Sequence, residues 1–184
     1  MDAADDVVRI FVERGAEHHG EVVDQRRHAL QCAALAKADG VEDHLVAAAL
    51  LHDVGHLVAS ADHGPRIDLT ADDDHHEAVG ARWAAIRFGP RVGRPIALHV
   101  VAKRYRCTVD PDYLATLSPT SIRTLQSQGG LLDPDAVARF EDHPGRAEAL
   151  ALRHWDDTAK DPDRETEGIE TFVTVLQRLA AAAG

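Results

Sequence analysis

Several residue types are scarce in this sequence, and each scarcity excludes a class of protein. Only two of the 184 residues are cysteines, Cys32 and Cys107, which is too few for a disulfide framework. No long uncharged apolar run is present, so we expect no transmembrane helix. Basic residues number 20 against 31 acidic ones, and the formal net charge of −11 argues against binding to nucleic acid or to an anionic membrane. The first residues lack the positive charge of a secretory signal, so we expect a cytoplasmic protein.

Aromatic residues are also scarce, at 4% of the chain, whereas alanine, the best helix former, is abundant. Apolar residues recur at helical spacing along most of the sequence, and no segment alternates convincingly with the period of a strand. The pattern predicts an all-α protein with a single domain over residues 1–184. A segment from Leu45 to about Leu57 is apolar nearly all round, which predicts one buried helix at the centre of a bundle.

Histidine is in excess, with 12 residues, and composition alone does not explain it. The densest group, His52-Asp53-Val54-Gly55-His56, lies at the end of the central apolar segment. A charged pair in such a place is costly to bury unless it is hydrogen-bonded or bound to a metal. An isolated His-Asp pair is usually a coincidence on the surface, but the apolar run before it and the glycine after it favour a metal site.

Other candidate ligands lie on separate predicted helices, and with the His-Asp pair they form the set His28, His52, Asp53, His76, His99 and Asp156. A lone histidine on an apolar face is more often a core residue than a ligand. Imidazole combined with carboxylate, however, suits iron, manganese or zinc. Four of the set would fill one metal site: His28, His52, Asp53 and Asp156. His76 and His99 are what a second metal would need, with one carboxylate bridging.

The remaining histidines are weaker candidates. His44, His63 and His143 are interpreted as solvated surface residues. His75 competes with His76, and we prefer His76 because Glu77 and Gly80-Ala81 follow it.

The His-Asp pair resembles the motif that names the HD-domain superfamily, a group of metal-dependent helical proteins. From about Glu17 to Lys160 the chain is similar to one branch in particular, the mixed-valent di-iron oxygenases that cleave hydroxylated organophosphonates and are related to myo-inositol oxygenase. The more specific strings are Gly20-Glu21, His28-Ala29-Leu30-Gln31, His76-Glu77-Ala78-Val79-Gly80-Ala81, His99 with Lys103 four residues later, Leu117-Ser118-Pro119-Thr120-Ser121, Gln128-Gly129-Gly130 and Arg153-His154-Trp155-Asp156-Asp157.

The resemblance implies a single HD-domain helical bundle with a metal site in its core. It implies two iron ions, Fe(II) and Fe(III), held by the six candidate ligands with Asp53 bridging, and O2 as co-substrate. The phosphonate of a small substrate would be held by His56, Lys103, Ser121 and Arg153. Glu21 would recognise a cationic amino group on that substrate. The phosphonate-cleaving relatives carry an iron-capping tyrosine at the position of His18, so His18 becomes a candidate labile iron ligand or gate.

Each substrate contact has a plainer alternative reading. Lys103 and Arg153 could be ordinary surface charges. Glu21 could be a carboxylate at a helix N-terminus, where the helix dipole stabilises it.

Three functions follow as hypotheses. The first is an O2-dependent di-iron oxygenase that cleaves the C–P bond of a 2-amino-1-hydroxyethylphosphonate-like substrate to phosphate and a glycine-type amino acid. The alternative is a metal-dependent HD phosphohydrolase acting on a nucleotide or other phosphate ester through a metal-activated water. The third is a non-catalytic module that binds a small anion or a partner, and the intact ligand spacing argues against it. The sequence gives no indication of oligomeric state.

Overall fold

The computed structural model describes residues 2–16, 22–62 and 75–184, with the backbone alone at 59–62. The described residues are helical and contain no strand, so the predicted all-α class is confirmed. In chain order the helices are α1 (Ala3–Arg14), α2 (Gln25–Ala38), α3 (Asp43–Leu51), α4 (Val54–Asp62), α5 (His76–Phe88), α6 (Pro90–Val109), α7 (Pro111–Thr116), α8 (Pro119–Ser127), α9 (Pro134–Glu141), α10 (Arg146–Thr158) and α11 (Glu170–Ala183). None of these, over the described ranges, is long and apolar enough to cross a membrane.

Short polar side chains fix where several helices begin. Asp24 accepts a hydrogen bond from the backbone N–H of Arg27 at the start of α2, and Ser118 accepts one from Ser121 at the start of α8. These caps satisfy backbone donors that have no partner within the helix. Helices α6 to α9 each carry proline in the first turn, where its missing N–H does no harm. The local sequence therefore determines most helix starts.

The predicted single helix from Leu45 to Leu57 is wrong, because the chain forms two helices there. Helix α3 ends at Leu51, and α4 begins at Val54, so His52 and Asp53 form the turn between them. Gly55 explains the change of direction. A Cβ atom on Gly55 would overlap the carbonyl oxygen of His76, so only glycine lets α4 approach α5 this closely. The His-Asp pair is consequently presented by a turn instead of by the side of a helix.

The main core surrounds α3. Its residues Ala47 to Leu51 are all buried, and they pack among side chains of α1, α2, α5, α6, α10 and α11. A second, smaller apolar cluster fixes α9 against α6 and α10. A third contains Cys107, Tyr113 and Leu125, and it fastens α7 and α8 to the end of α6. Helices α2, α3, α5, α6 and α10 are thus held around one central space.

Two of the three histidines that were expected to be solvated at the surface are buried or half-buried instead. His44 is buried where α3 packs on α10, and its Nε2 lies 3.1 Å from Oε1 of Glu148. This partner explains how a polar ring is tolerated there. His143 is half-buried and its Nδ1 accepts the backbone N–H of Gly145. His63 lies outside the described residues.

Candidate metal centre

Six side chains singled out from the sequence lie together in the middle of the bundle. Helix α2 contributes His28, and the turn after α3 contributes His52 and Asp53. The other three come from the start of α5, from α6 and from α10: His76, His99 and Asp156. All except Asp53 are almost completely buried, and the side chain of Asp53 is 21% exposed. Separate parts of the chain therefore converge on one cluster of imidazoles and carboxylates.

One part of this cluster, which we call the first half-site, consists of His28, His52, Asp53 and Asp156. The Nε2 atoms of His28 and His52 are 3.2 Å apart. Oδ1 of Asp156 lies 3.3 Å from Nε2 of His28, and Oδ2 of Asp53 lies 3.5 Å from Nε2 of His52. Metal–nitrogen bonds of about 2.0–2.1 Å at right angles separate neighbouring ligand atoms by roughly 3 Å. These spacings therefore suit donors around one ion.

The second half-site consists of His76, His99 and Asp53. The Nε2 atoms of the two histidines are 3.2 Å apart, and each lies 3.6 Å from Oδ1 of Asp53. Asp53 therefore belongs to both half-sites, because Oδ2 faces the first and Oδ1 faces the second. Within the described part of the chain, the second half-site has three protein donors and the first has four. A metal in the second half-site would keep more positions for an external ligand.

Backbone carbonyl groups fix how the histidine rings are oriented. The Nδ1 atoms of His28, His52 and His99 lie 2.8, 2.9 and 2.8 Å from the carbonyl oxygens of Ala159, Ala49 and Ile96, respectively. A carbonyl oxygen only accepts hydrogen bonds, so each Nδ1 carries a proton, and the neutral form of each ring keeps its lone pair on Nε2. Lone pairs that face each other at 3.2 Å repel unless a cation lies between them. The donor set thus fits metal ions bound through Nε2.

Burial and neighbouring charges place several of the donors in ligating protonation states, whereas for His28 burial is outweighed by Cys32 and Asp156, which together raise its pKa well above its ordinary value. Burial, followed by the nearby His76, lowers the pKa of His99 to about 3, so this ring is neutral at neutral pH. Burial opposes ionisation of Asp53, but the surrounding rings of His52, His56 and His76 hold its pKa well below the ordinary value. Burial also opposes ionisation of Asp156, but Arg153, His52 and His28 together hold its pKa well below the ordinary value. Neutral imidazole and ionised carboxylate are the forms that bind metals.

His56 lies beside the second half-site. The break between α3 and α4 separates it from His52, and its ring stacks on His76 with ring centres 4.0 Å apart. Ligand atoms of Asp53, His56 and His76 all lie within 4.8 Å of one another. His56 therefore faces the same space as the half-site that has fewer protein donors.

A group of cations, which we call the cationic cluster, consists of Lys103, Arg153 and Lys160 around Ser121. Lys103 is 5% exposed and Arg153 is 3% exposed, so the reading of both as surface charges is wrong. Nζ of Lys103 donates to Oγ1 of Thr124 at 2.6 Å. Burial, followed by the positive charge of Arg153, lowers the pKa of Lys103 to about 8.

Ser121 and Lys160 complete this cluster. Nζ of Lys160 donates to Oγ of Ser121 at 3.1 Å, and its charge lies close enough to Lys103 to contribute to the lowered pKa of that amine. Oγ of Ser118 lies 3.1 Å from Oγ of Ser121 and also accepts the Ser121 backbone N–H. The N-terminus of α8 therefore presents a buried hydroxyl group in contact with the half-buried Lys160 and near the two buried cations, which is the chemistry that an anion with several oxygens requires.

Arg153 connects the cationic cluster to the first half-site. Its Nη1 forms an ion pair with Oδ2 of Asp156 at 2.7 Å, and its Nη2 donates to Oδ1 of Asp157. Oδ2 of Asp157 in turn accepts hydrogen bonds from Tyr113 at 2.8 Å and from Arg106 at 3.2 Å. The guanidinium group is thereby held in place by carboxylates on its own helix, which α6 and α7 brace.

Three residues of this site were missed in the sequence. Cys32 is completely buried, and its Sγ lies 3.9 Å from Nε2 of His28, the residue one helical turn earlier in α2. Lys160 lies four residues after Asp156, and Asp157 directly follows Asp156. For Cys32 and Lys160, the available signal was a spacing of four residues from a predicted ligand. His18 and Glu21, the predicted gate and amino-group contact, lie outside the described residues.

The described helices form an all-α bundle, and its buried histidines and carboxylates point into one space. This is the donor arrangement of a helical metalloprotein. No family model matches the chain. A hydroxymethylphosphonate dioxygenase of Gimesia maris is 40% identical over 168 residues, which are 91% of this chain and 83% of that protein. A glycine-betaine-forming 1-hydroxy-2-(trimethylamino)ethylphosphonate dioxygenase of Leisingera caerulea is 36% identical over 92% of this chain and 86% of that protein. The chain belongs to the phosphonate dioxygenase family, so the prediction of an oxygenase that acts on phosphonates is confirmed.

Proposed function

We propose that the protein is an O2-dependent di-iron oxygenase that cleaves the C–P bond of a 1-hydroxyalkylphosphonate, with 2-amino-1-hydroxyethylphosphonate as the preferred candidate. One O2 would convert the substrate to phosphate and a carboxylic acid, which is glycine for the amino compound. Both names among the relatives specify a phosphonate that is hydroxylated on the carbon bonded to phosphorus. They differ in what the next position carries, so they agree on the reacting part of the substrate and leave its second group open.

The single observation that carries the proposal is the division of Asp53 between two half-sites. Its two oxygens face two separate pairs of imidazole nitrogens, at 3.5 Å from His52 and at 3.6 Å from both His76 and His99. Two irons bound there would supply O2 activation and an electrophilic anchor for the substrate hydroxyl. Imidazole with carboxylate is a suitable donor set for iron.

The cationic cluster would bind the phosphonate. A tetrahedral dianion has three oxygens, and the buried side chains of Lys103, Arg153 and Ser121, with the half-buried Lys160, offer them ammonium, guanidinium and hydroxyl contacts. Lys103 would exchange its hydrogen bond to Thr124 for one to the substrate. This local positive charge explains how a chain with a net charge of −11 attracts an anion.

His56 would orient the end of the substrate nearest the second half-site. Stacking on His76 fixes the plane of its ring, so its nitrogens have a defined direction. A phosphonate held between the cationic cluster and His56 would place the neighbouring hydroxyl carbon against the half-site with fewer protein donors. Such orientation of a bound reactant lowers the entropic part of the barrier.

Metal analysis combined with a substrate comparison tests the proposal. The purified protein, loaded with iron, should hold two irons per chain and show the coupled signal of an Fe(II)/Fe(III) pair. It should release phosphate from 2-amino-1-hydroxyethylphosphonate, and the rates with hydroxymethylphosphonate and with the trimethylamino compound will rank the groups that the site accepts. Turnover of phosphate esters without O2 uptake would instead support an HD phosphohydrolase.

A further inference from the structure

A cysteine sits among the ligands of the first half-site and has no role in the proposed reaction. Cys32 and His28 are four residues apart in α2, so they share one face of that helix. Sγ of Cys32 lies 3.9 Å from Nε2 of His28, the same nitrogen that faces His52. The potential ligand atoms of His28, Cys32 and His52 all lie within 4.8 Å of one another.

These distances suit one small ion. With a metal–sulfur bond of about 2.3 Å and a metal–nitrogen bond of about 2.1 Å, a separation of 3.9 Å corresponds to an angle at the metal that is somewhat wider than tetrahedral. Asp156 supplies a fourth donor, since its Oδ1 lies 3.3 Å from Nε2 of His28. Cys32, His28 and His52 are almost completely buried, so a bound ion would be protected from water.

We propose that Cys32 gives the first half-site a second binding mode, in which a thiophilic divalent ion such as zinc is held by His28, His52, Cys32 and Asp156. Binding replaces the thiol proton by the metal and releases that proton to solvent. Thiolate favours zinc, whereas the imidazole and carboxylate groups alone suit iron. Zinc therefore competes with iron at this half-site and yields a stable form without oxygenase activity.

Cobalt(II) is the probe for this mode, because a cobalt–thiolate bond gives a charge-transfer absorption in the near ultraviolet that histidine and carboxylate ligands do not. The metal-free, full-length protein should develop this band when cobalt(II) is added. Cys32→Ser should lack the band, and its zinc affinity should fall by more than the roughly 10–100-fold typical for loss of an outer-sphere partner. Cys107→Ser is the matched control, since Cys107 is also buried but packs against Tyr113 and Leu125. That variant should keep the band.

Zinc X-ray absorption on the unmutated protein gives a second readout that does not depend on how the variants fold. A sulfur atom at about 2.3 Å from zinc supports the proposal. A zinc shell of nitrogen and oxygen only, or a cobalt band that persists in Cys32→Ser, overturns it. Iron binding with no sulfur–zinc contact would leave the di-iron function standing, whereas failure to bind any metal would contradict both.

Discussion

Arg153 forms an ion pair through Nη1 with Oδ2 of Asp156 at 2.7 Å, so a cation of the proposed phosphonate pocket is paired directly with a proposed metal ligand. Both side chains are almost completely buried. The charges of a bound substrate and of a bound metal would therefore both act on this ion pair. Binding of a phosphonate to Arg153 would change how strongly that arginine polarises Asp156, and this connection motivates the first prediction.

Removing the charge of Asp157 should affect substrate binding more than metal binding. In Asp157→Asn, Arg153 loses an ionised acceptor, and Tyr113 and Arg106 lose the carboxylate that gathers them. Hydrogen bonds to charged groups contribute about 1.5–3 kcal/mol, so KM should rise roughly tenfold or more. Iron content should stay unchanged. Steady-state kinetics with metal analysis measure both.

Asp142→Asn is the control for that variant. Asp142 is exposed at the end of α9, and its substitution removes the same charge. Its KM should equal that of the parent protein. A loss of iron in Asp157→Asn would contradict the role assigned to Asp157 as a support for Arg153.

The two half-sites should lose metal independently. His28→Ala removes a donor of the first half-site only, and His76→Ala removes a donor of the second only. Each variant should retain about half of the iron of the parent protein, because the half-site that is not substituted keeps all of its donors. Iron per chain by elemental analysis, with circular dichroism as a check on folding, measures this. Retention of the full iron content in either variant would show that the assigned ligand is not one.

Substrate binding should weaken in alkali because of Lys103. Burial and the charge of Arg153 lower the pKa of this amine to about 8, so it is mostly protonated at pH 7 and loses its charge as the pH rises through 8. If the phosphonate binds the ammonium form, KM should rise above pH 8 by up to about tenfold per pH unit. A pH profile of kcat/KM measures the effect. In Lys103→Arg the guanidinium stays charged, so this alkaline decline should disappear; an unchanged decline would assign it to another group.

The same lowered pKa has an opposite consequence for folding. In the unfolded chain Lys103 has its ordinary pKa of about 10.5, so between about pH 8 and 10.5 the unfolded state binds more protons than the folded state. The contribution of Lys103 to the free energy of unfolding should therefore increase with pH over this window, while substrate binding declines.

Gly55→Ala should damage the second half-site. The added Cβ would overlap the carbonyl oxygen of His76, and backbone cannot yield as a flexible side chain would. Overpacking of this kind typically costs about 1–3 kcal/mol, and here it would also displace His76. Gly80→Ala is a graded comparison, because its Cβ would lie 3.0 Å from the backbone nitrogen of Gly55. Thermal unfolding and iron content should both be affected more in Gly55→Ala; equal effects would contradict this account.

Much of the candidate metal centre could be predicted because most of its candidate ligands lie on apolar helix faces. His28, His99 and Asp156 each follow the helical pattern that directs their side chains into the core. The break at His52-Asp53 could not be predicted in this way. It depends on the contact of Gly55 with α5, a long-range packing relation that leaves no trace in the local apolar pattern.

The cationic cluster was predicted only in part, for a related reason. Lys103 lies in the middle of a helix, four residues after His99, and periodicity carries it to the correct side. Lys160 lies beyond Thr158, where α10 ends, so the path of the chain after the helix determines its position next to Ser121. Cys32 is ambiguous in the sequence, because a buried cysteine commonly behaves as a small apolar residue.

Phosphate release from 2-amino-1-hydroxyethylphosphonate, measured with and without O2 on the iron-loaded protein, tests the central claim most directly. The account predicts one O2 consumed for each phosphate released under air, with one glycine formed, and no release under strict anaerobic conditions. Phosphate release at the same rate without O2 would contradict it and would identify the chemistry as hydrolysis.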